Sequence, residues 1–98
     1  MRTEFDETRK EELIDILTSE LRVLRAKMDI SQQDLASRMG VSRQTLGLIE
    51  KRKHRMTWNH FMALLLIFRS NEGSASILDM VGAYPPELDR YIRCSEAE

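Results

Sequence analysis

Apolar residues recur along this chain three and four positions apart, and nowhere alternate one by one over the length of a strand. That periodicity predicts helices throughout. Leu13, Ile16, Leu17, Leu21, Leu24 and Met28 fall on one helical stripe, which predicts a long first helix ending near Met28. Thr8-Arg9-Lys10-Glu11 has the spacing of a capping box for its start, with a start nearer Thr3 as the alternative. Ser31-Gln32-Gln33-Asp34 reads as a second box, opening a short helix with Leu35, Ala36 and Met39 inward, and Gly40 stops it. Ser42 caps a third helix whose inward pair is Leu46 and Ile49, and the polar, basic stretch from Lys51 to Met56 reads as a loop. Thr57 caps a fourth helix to about Phe68. Asn71-Glu72-Gly73 then reads as a break. Two short helices are predicted after it, near Ala75 to Val81 and Pro86 to Arg93, the second opening on a proline suited to a first turn.

The stretch from Gln32 to Ile49 carries the most information. Two short helices that cross steeply need a small side chain at their closest approach, which Ala36 supplies. The tight turn between them needs a positive φ, which Gly40 adopts cheaply. Val41, Leu46 and Ile49, with Leu35 and Met39, fill the core beneath. Arg43, Gln44, Gly47 and Leu48 remain outward on the second helix of the pair. This is the pattern of a DNA-binding helix-turn-helix.

Over about Leu21 to Phe68 the chain resembles the lambda-repressor-like, or Xre/Cro-type, helix-turn-helix proteins. The residues that carry the resemblance are Leu24-Arg25, Ser31-Gln32-Gln33-Asp34-Leu35-Ala36, Gly40-Val41-Ser42-Arg43-Gln44-Thr45-Leu46 and Ile49-Glu50. The resemblance implies an all-α, compact bundle of about five helices, here with an extended N-terminal helix and short C-terminal ones. It also implies double-stranded DNA as partner, bound by a symmetric dimer on a palindrome. Gln32 matches the family's phosphate-contacting glutamine, and Arg43 and Gln44 occupy its base-reading positions. An arginine suits guanine O6/N7 and a glutamine suits adenine N6/N7. Ser42 and Thr45 are short hydroxyl residues suited to phosphate contact. Arg25 and Glu50 match an ion pair that ties the first helix to the end of the third. Leu48 stands where the family often has a polar base-contacting residue, and either touches a thymine methyl or packs. Arg52 stands where the family often has a glycine, so a left-handed backbone there is strained.

Charge adds a direction to this reading. The 98 residues carry 15 basic and 16 acidic side chains. From Arg38 to Arg55 there are six basic residues against Glu50 alone, a net +5, which leaves −6 on the remainder. A near-neutral chain thus hides a basic face, and Lys51, Lys53 and Arg55 beside the third helix are read as phosphate contacts. Cys94 is the one cysteine, so no intrachain disulfide forms, and the acidic start is no signal peptide. The run from Phe61 to Phe68 is too short to span a bilayer. No nucleophile–base pair, phosphate-cradling glycine loop or metal-ligand spacing is present, so neither catalysis, cofactor nor small-molecule substrate is expected. His54 and His60 have no ligand-like neighbours, and Trp58 and Phe61 read as core.

These features predict a cytoplasmic, nucleoid-associated regulator of a prokaryote or phage. Residues 1–70 form its DNA-binding domain and residues 71–98 a helical extension for dimerisation or packing. Phe61 to Phe68 is apolar on all sides, which points to a homodimer face continued by Ile77, Leu78, Val81, Leu88, Tyr91 and Ile92. The leading expectation is a repressor. The alternative is an antitoxin that binds a toxin partner and represses its own operon.

Overall fold

The first helix starts at an aspartate. In the computed structural model, which describes residues 5–94, the Asp6 carboxylate accepts a 2.9 Å hydrogen bond from the Arg9 backbone N–H, and α1 runs Glu7–Met28. The cap therefore lies two residues before Thr8. An aspartate satisfies an orphan N–H as well as a threonine does, and its charge also suits the positive end of the helix. The alternative start near Thr3 lies outside the described residues. At roughly 33 Å, α1 is the longest rod in a molecule whose longest dimension is 41 Å.

Five more helices follow: α2 Gln32–Met39, α3 Arg43–Glu50, α4 Trp58–Arg69, α5 Glu72–Val81 and α6 Pro86–Ile92. The described residues thus form six helices, the number the apolar periodicity predicts, where the family resemblance implied a bundle of about five. Ser31, Ser42 and Thr57 cap α2, α3 and α4, each accepting from the N–H three residues on. The break between α4 and α5 falls at Ser70 and Asn71 and is over before Glu72 and Gly73. Asn71 is itself the cap of α5, accepting from the Ser74 N–H at 3.0 Å, so Gly73 sits in the first turn. Ser74 is fully buried, and its hydroxyl donates to the Phe68 carbonyl at 2.5 Å. One serine thereby closes the end of α4 against the start of α5, which makes the joint short.

A single core collects side chains from all six helices, with Leu13, Leu17, Leu21, Leu24, Phe61 and Phe68 among its fully buried members. Ile14 joins them at 5% exposure, whereas Ile16 and Met28 only pack against its edge. Trp58 stacks on Phe61 with ring centroids 4.7 Å apart, so both aromatics serve the core.

The apolar run of α4 finds its partners inside the chain. This helix packs against α1, α2 and α5, which buries Phe61, Leu64, Leu65 and Phe68. Leu66 alone remains largely bare, at 76% exposure. Leu78 and Leu88, expected at a face between two chains, are fully buried in this core. Three neighbouring helices take up a surface that sequence pattern alone left open.

Candidate nucleic-acid interface

α2 and α3 meet through the turn at Gly40, whose φ is 82°. The Gly40 N–H donates to the Ser37 carbonyl and the Val41 N–H to the Ala36 carbonyl, closing α2 in a paired left-handed cap. A β-carbon at Gly40 would meet nothing within 4 Å, so the position requires glycine for its backbone alone. Ala36 is fully buried at the crossing, and Leu46 and Ile49 are fully buried beneath it. Those contacts fix which face of α3 turns outward.

The outward face opens at the N-terminus of α3. Arg43 and Gln44 are exposed, and Leu48 is half-buried. Leu48 thus packs with part of its surface and leaves the rest on the outer face. The Arg43 guanidinium donates to the Gln32 side-chain oxygen at 3.2 Å. The Gln32 amide nitrogen donates in turn to Glu50 at 2.9 Å. Gln32 therefore joins the start of α2, the start of α3 and the end of α3 through one side chain. Ser42 and Thr45 bond to each other: the Thr45 N–H and hydroxyl both lie 3.0 Å from the Ser42 oxygen.

Glu50 is the centre of the arrangement. Its side chain is 1% exposed, and Arg25 on α1 grips it with two hydrogen bonds, at 2.7 and 3.2 Å. Arg22, one turn earlier on α1, adds a second cation at 3.6 Å. Burial pushes the Glu50 carboxyl up. The hydrogen bonds from Arg25 and Gln32, and the charges of Arg25 and Arg22, outweigh it and hold the group below its ordinary value. A carboxylate at the C-terminal end of a helix is disfavoured by the helix dipole, so these donors are what keep it there.

The basic loop after α3 divides into two kinds of residue. Lys51 and Lys53 are exposed, and among the described residues neither has a carboxylate within ion-pair distance. Arg55 is paired with Glu11 of α1, so the phosphate role read for it competes with an internal partner. Arg52 adopts the left-handed conformation at φ 62°, and its guanidinium reaches Asp15 at 2.7 Å.

Five of these connections between elements escaped the sequence reading: Arg43 to Gln32, Gln32 to Glu50, Arg22 to Glu50, Arg52 to Asp15 and Arg55 to Glu11. Arg22 lies three residues before Arg25, on the same helix face, and that spacing was a usable signal. For Arg52 no local pattern pointed thirty-seven residues back.

The surface as built is the N-terminus of α3 with two exposed long polar side chains and, past the other end of the same helix, two exposed lysines that pair with no carboxylate among the described residues. Arginine and glutamine are side chains that can bond to base edges, and lysine is one that can pair with phosphate oxygens. No helix among the described residues is long and apolar enough to cross a membrane. No curated protein and no solved structure matches the chain at a significant level. The sequence profile of the Cro/C1-type HTH DNA-binding domain matches residues 20–73, just over half of the chain and the whole of α2, α3 and α4. With that match lying on the exposed helix pair just described, the chain belongs to the Cro/C1-type helix-turn-helix family of DNA-binding transcription regulators.

Proposed function

We propose that this regulator is a sequence-specific repressor that binds a palindromic operator as a homodimer and covers a promoter. The observation that carries the reading is the exposure of Arg43 and Gln44 on the first turn of α3, with Lys51 and Lys53 exposed just past its other end. Arg43 reads a guanine, Gln44 an adenine, and the exposed part of Leu48 touches a thymine methyl. Phosphate oxygens are held by Lys51 and Lys53, by the Ser42 and Thr45 hydroxyls, and by Gln32 at the N-terminus of α2. Binding, not catalysis, is its work, in the nucleoid of a prokaryotic cell.

A single recognition helix contacts too few base pairs to select one site in a genome, which is the reason for a dimer. Leu66 and Ile92, 76% and 39% exposed, border an apolar groove of about 300 Å³ between α4 and α6 and supply surface for a second copy. Residues 71–98 then serve dimerisation or packing together with the α4 side of that groove, and residues 1–70 carry the DNA surface.

Purified protein mixed with fragments of its source genome tests this. Enrichment of a sequence with two inverted half-sites about one helical turn apart is the expected result. Recovery of fragments with no shared sequence would remove the proposal. The antitoxin alternative shares this DNA surface and adds a protein partner. A small toxin gene beside this one, whose product co-purifies with the chain, would favour it.

A further inference from the structure

The helices α2 and α3 end in the same way, but on different residues. At the end of α3 the Arg52 N–H donates to the Ile49 carbonyl at 3.0 Å and the Lys53 N–H to the Leu48 carbonyl at 2.9 Å. This is the pattern Gly40 and Val41 make after α2, with arginine standing where glycine is the unstrained choice.

The arginine side chain supplies what its backbone lacks. One guanidinium nitrogen donates to the Asp15 carboxylate at 2.7 Å. The other donates to the Ser19 hydroxyl at 2.7 Å and to the Asp15 carbonyl at 3.3 Å. Asp15 and Ser19 are one turn apart on α1, in the part of that helix that precedes the family match. A lone surface ion pair positions little, but acceptors at both ends of a helical turn fix the plane of a guanidinium. The loop's arginines are therefore turned to α1, while Lys51 and Lys53 meet no carboxylate among the described residues.

We propose that Arg52 is a positioning residue of the DNA-binding surface: strapped to Asp15 and Ser19, it holds the left-handed turn that presents Lys51 and Lys53 to phosphate, and touches no DNA itself. This rests on the DNA-binding reading above. A cation that neutralises a phosphate adds about 0.9 to the slope of log affinity against log salt. A residue that only holds a loop adds nothing to that slope, although its loss weakens binding.

Arg52→Gly separates the two, because glycine adopts φ 62° without strain and keeps the turn accessible while removing the strap. The probe is a labelled random-sequence duplex titrated by fluorescence anisotropy over a series of KCl concentrations. Arg52→Gly should bind several-fold more weakly at every concentration, with the wild-type slope and an unchanged circular dichroism spectrum. Lys53→Ala should flatten the slope by about 0.9. Ser19→Ala, a surface change, should reproduce a smaller loss of the same salt-independent kind. A slope reduced by about 0.9 in Arg52→Gly would make Arg52 a phosphate contact and overturn the proposal. So would unchanged affinity in Arg52→Gly, or in Ser19→Ala if Arg52→Gly fails to fold. Wild-type protein that binds the duplex with no salt dependence would instead sink the DNA-binding reading.

Discussion

Arg43 has two possible partners, and the difference between them is specificity. In the free protein its guanidinium rests on Gln32. In the proposed complex the same donors meet guanine O6 and N7, a bidentate contact worth about 1–3 kcal/mol of discrimination. Arg43→Ala and Gln44→Ala should each lose about that much preference at one position of each half-site, measured by competition with singly substituted operators. The buried pair behaves differently. Glu50, at 1% exposure, is the more enclosed partner, and Arg25 retains 21%. Removing the arginine leaves the carboxylate buried with weaker support, so Arg25→Ala should cost about 3–5 kcal/mol. Glu50→Ala should cost less, because the stranded guanidinium still reaches water. Urea unfolding of the two variants checks the order, and equal losses would contradict it. The Glu50 carboxyl is held below its ordinary 4.5. Its contribution is therefore complete above that pH and lost as pH falls below it.

Each helix end is a small decision, and α4 shows how one is made sensitive to pH. The Thr57 oxygen accepts from the His60 N–H at 3.0 Å, and the Thr57 N–H donates to the His60 ring nitrogen Nδ1 at 3.2 Å. That ring nitrogen accepts only when it is unprotonated. Burial pushes the His60 group down from its ordinary 6.5, and the neighbouring His54 charge lowers it further. The folded state thus prefers neutral imidazole. Its stabilisation is complete above about pH 6.5 and is lost as pH falls from there through the lowered value. Thermal melts should show Tm declining between neutral and mildly acidic pH. His60→Gln keeps an acceptor at that position without a titrating group, and should flatten this decline. A decline of equal size in His60→Gln would assign it to another residue.

Across the whole molecule, the surface left over after folding is small. Most apolar side chains of α4, α5 and α6 close one core, and the bare remainder is Leu66 and Ile92 at the α4–α6 groove and Met80 on a separate face of α5. If a second copy covers the α4–α6 groove, Leu66→Glu should yield single-chain mass in sedimentation at micromolar concentration, where the wild type sediments as a dimer. Its melting should hold near wild type, because an exposed position contributes little to the monomer. Wild type already at single-chain mass would remove the preformed dimer.

Much of this was legible from the chain because its causes are local. A left-handed turn at Gly40, a small residue at Ala36 and hydroxyl caps at Ser31, Ser42 and Thr57 are demands of backbone geometry, met by the residue at that place. The start of α1 was harder, since Asp6 and Thr8 are comparable caps two residues apart. The apolar run of α4 could not reveal its own partners, because burial depends on how many helices surround it. The roles of Arg52 and Arg55 were hidden for a related reason. In sequence they are two cations in a basic loop, equivalent to Lys51 and Lys53. Only folding brings Asp15 and Glu11 of α1 against them. Composition counts charges, but the tertiary structure decides which ones face solvent, because a carboxylate thirty-seven or forty-four residues away competes with phosphate only once the chain has brought it near.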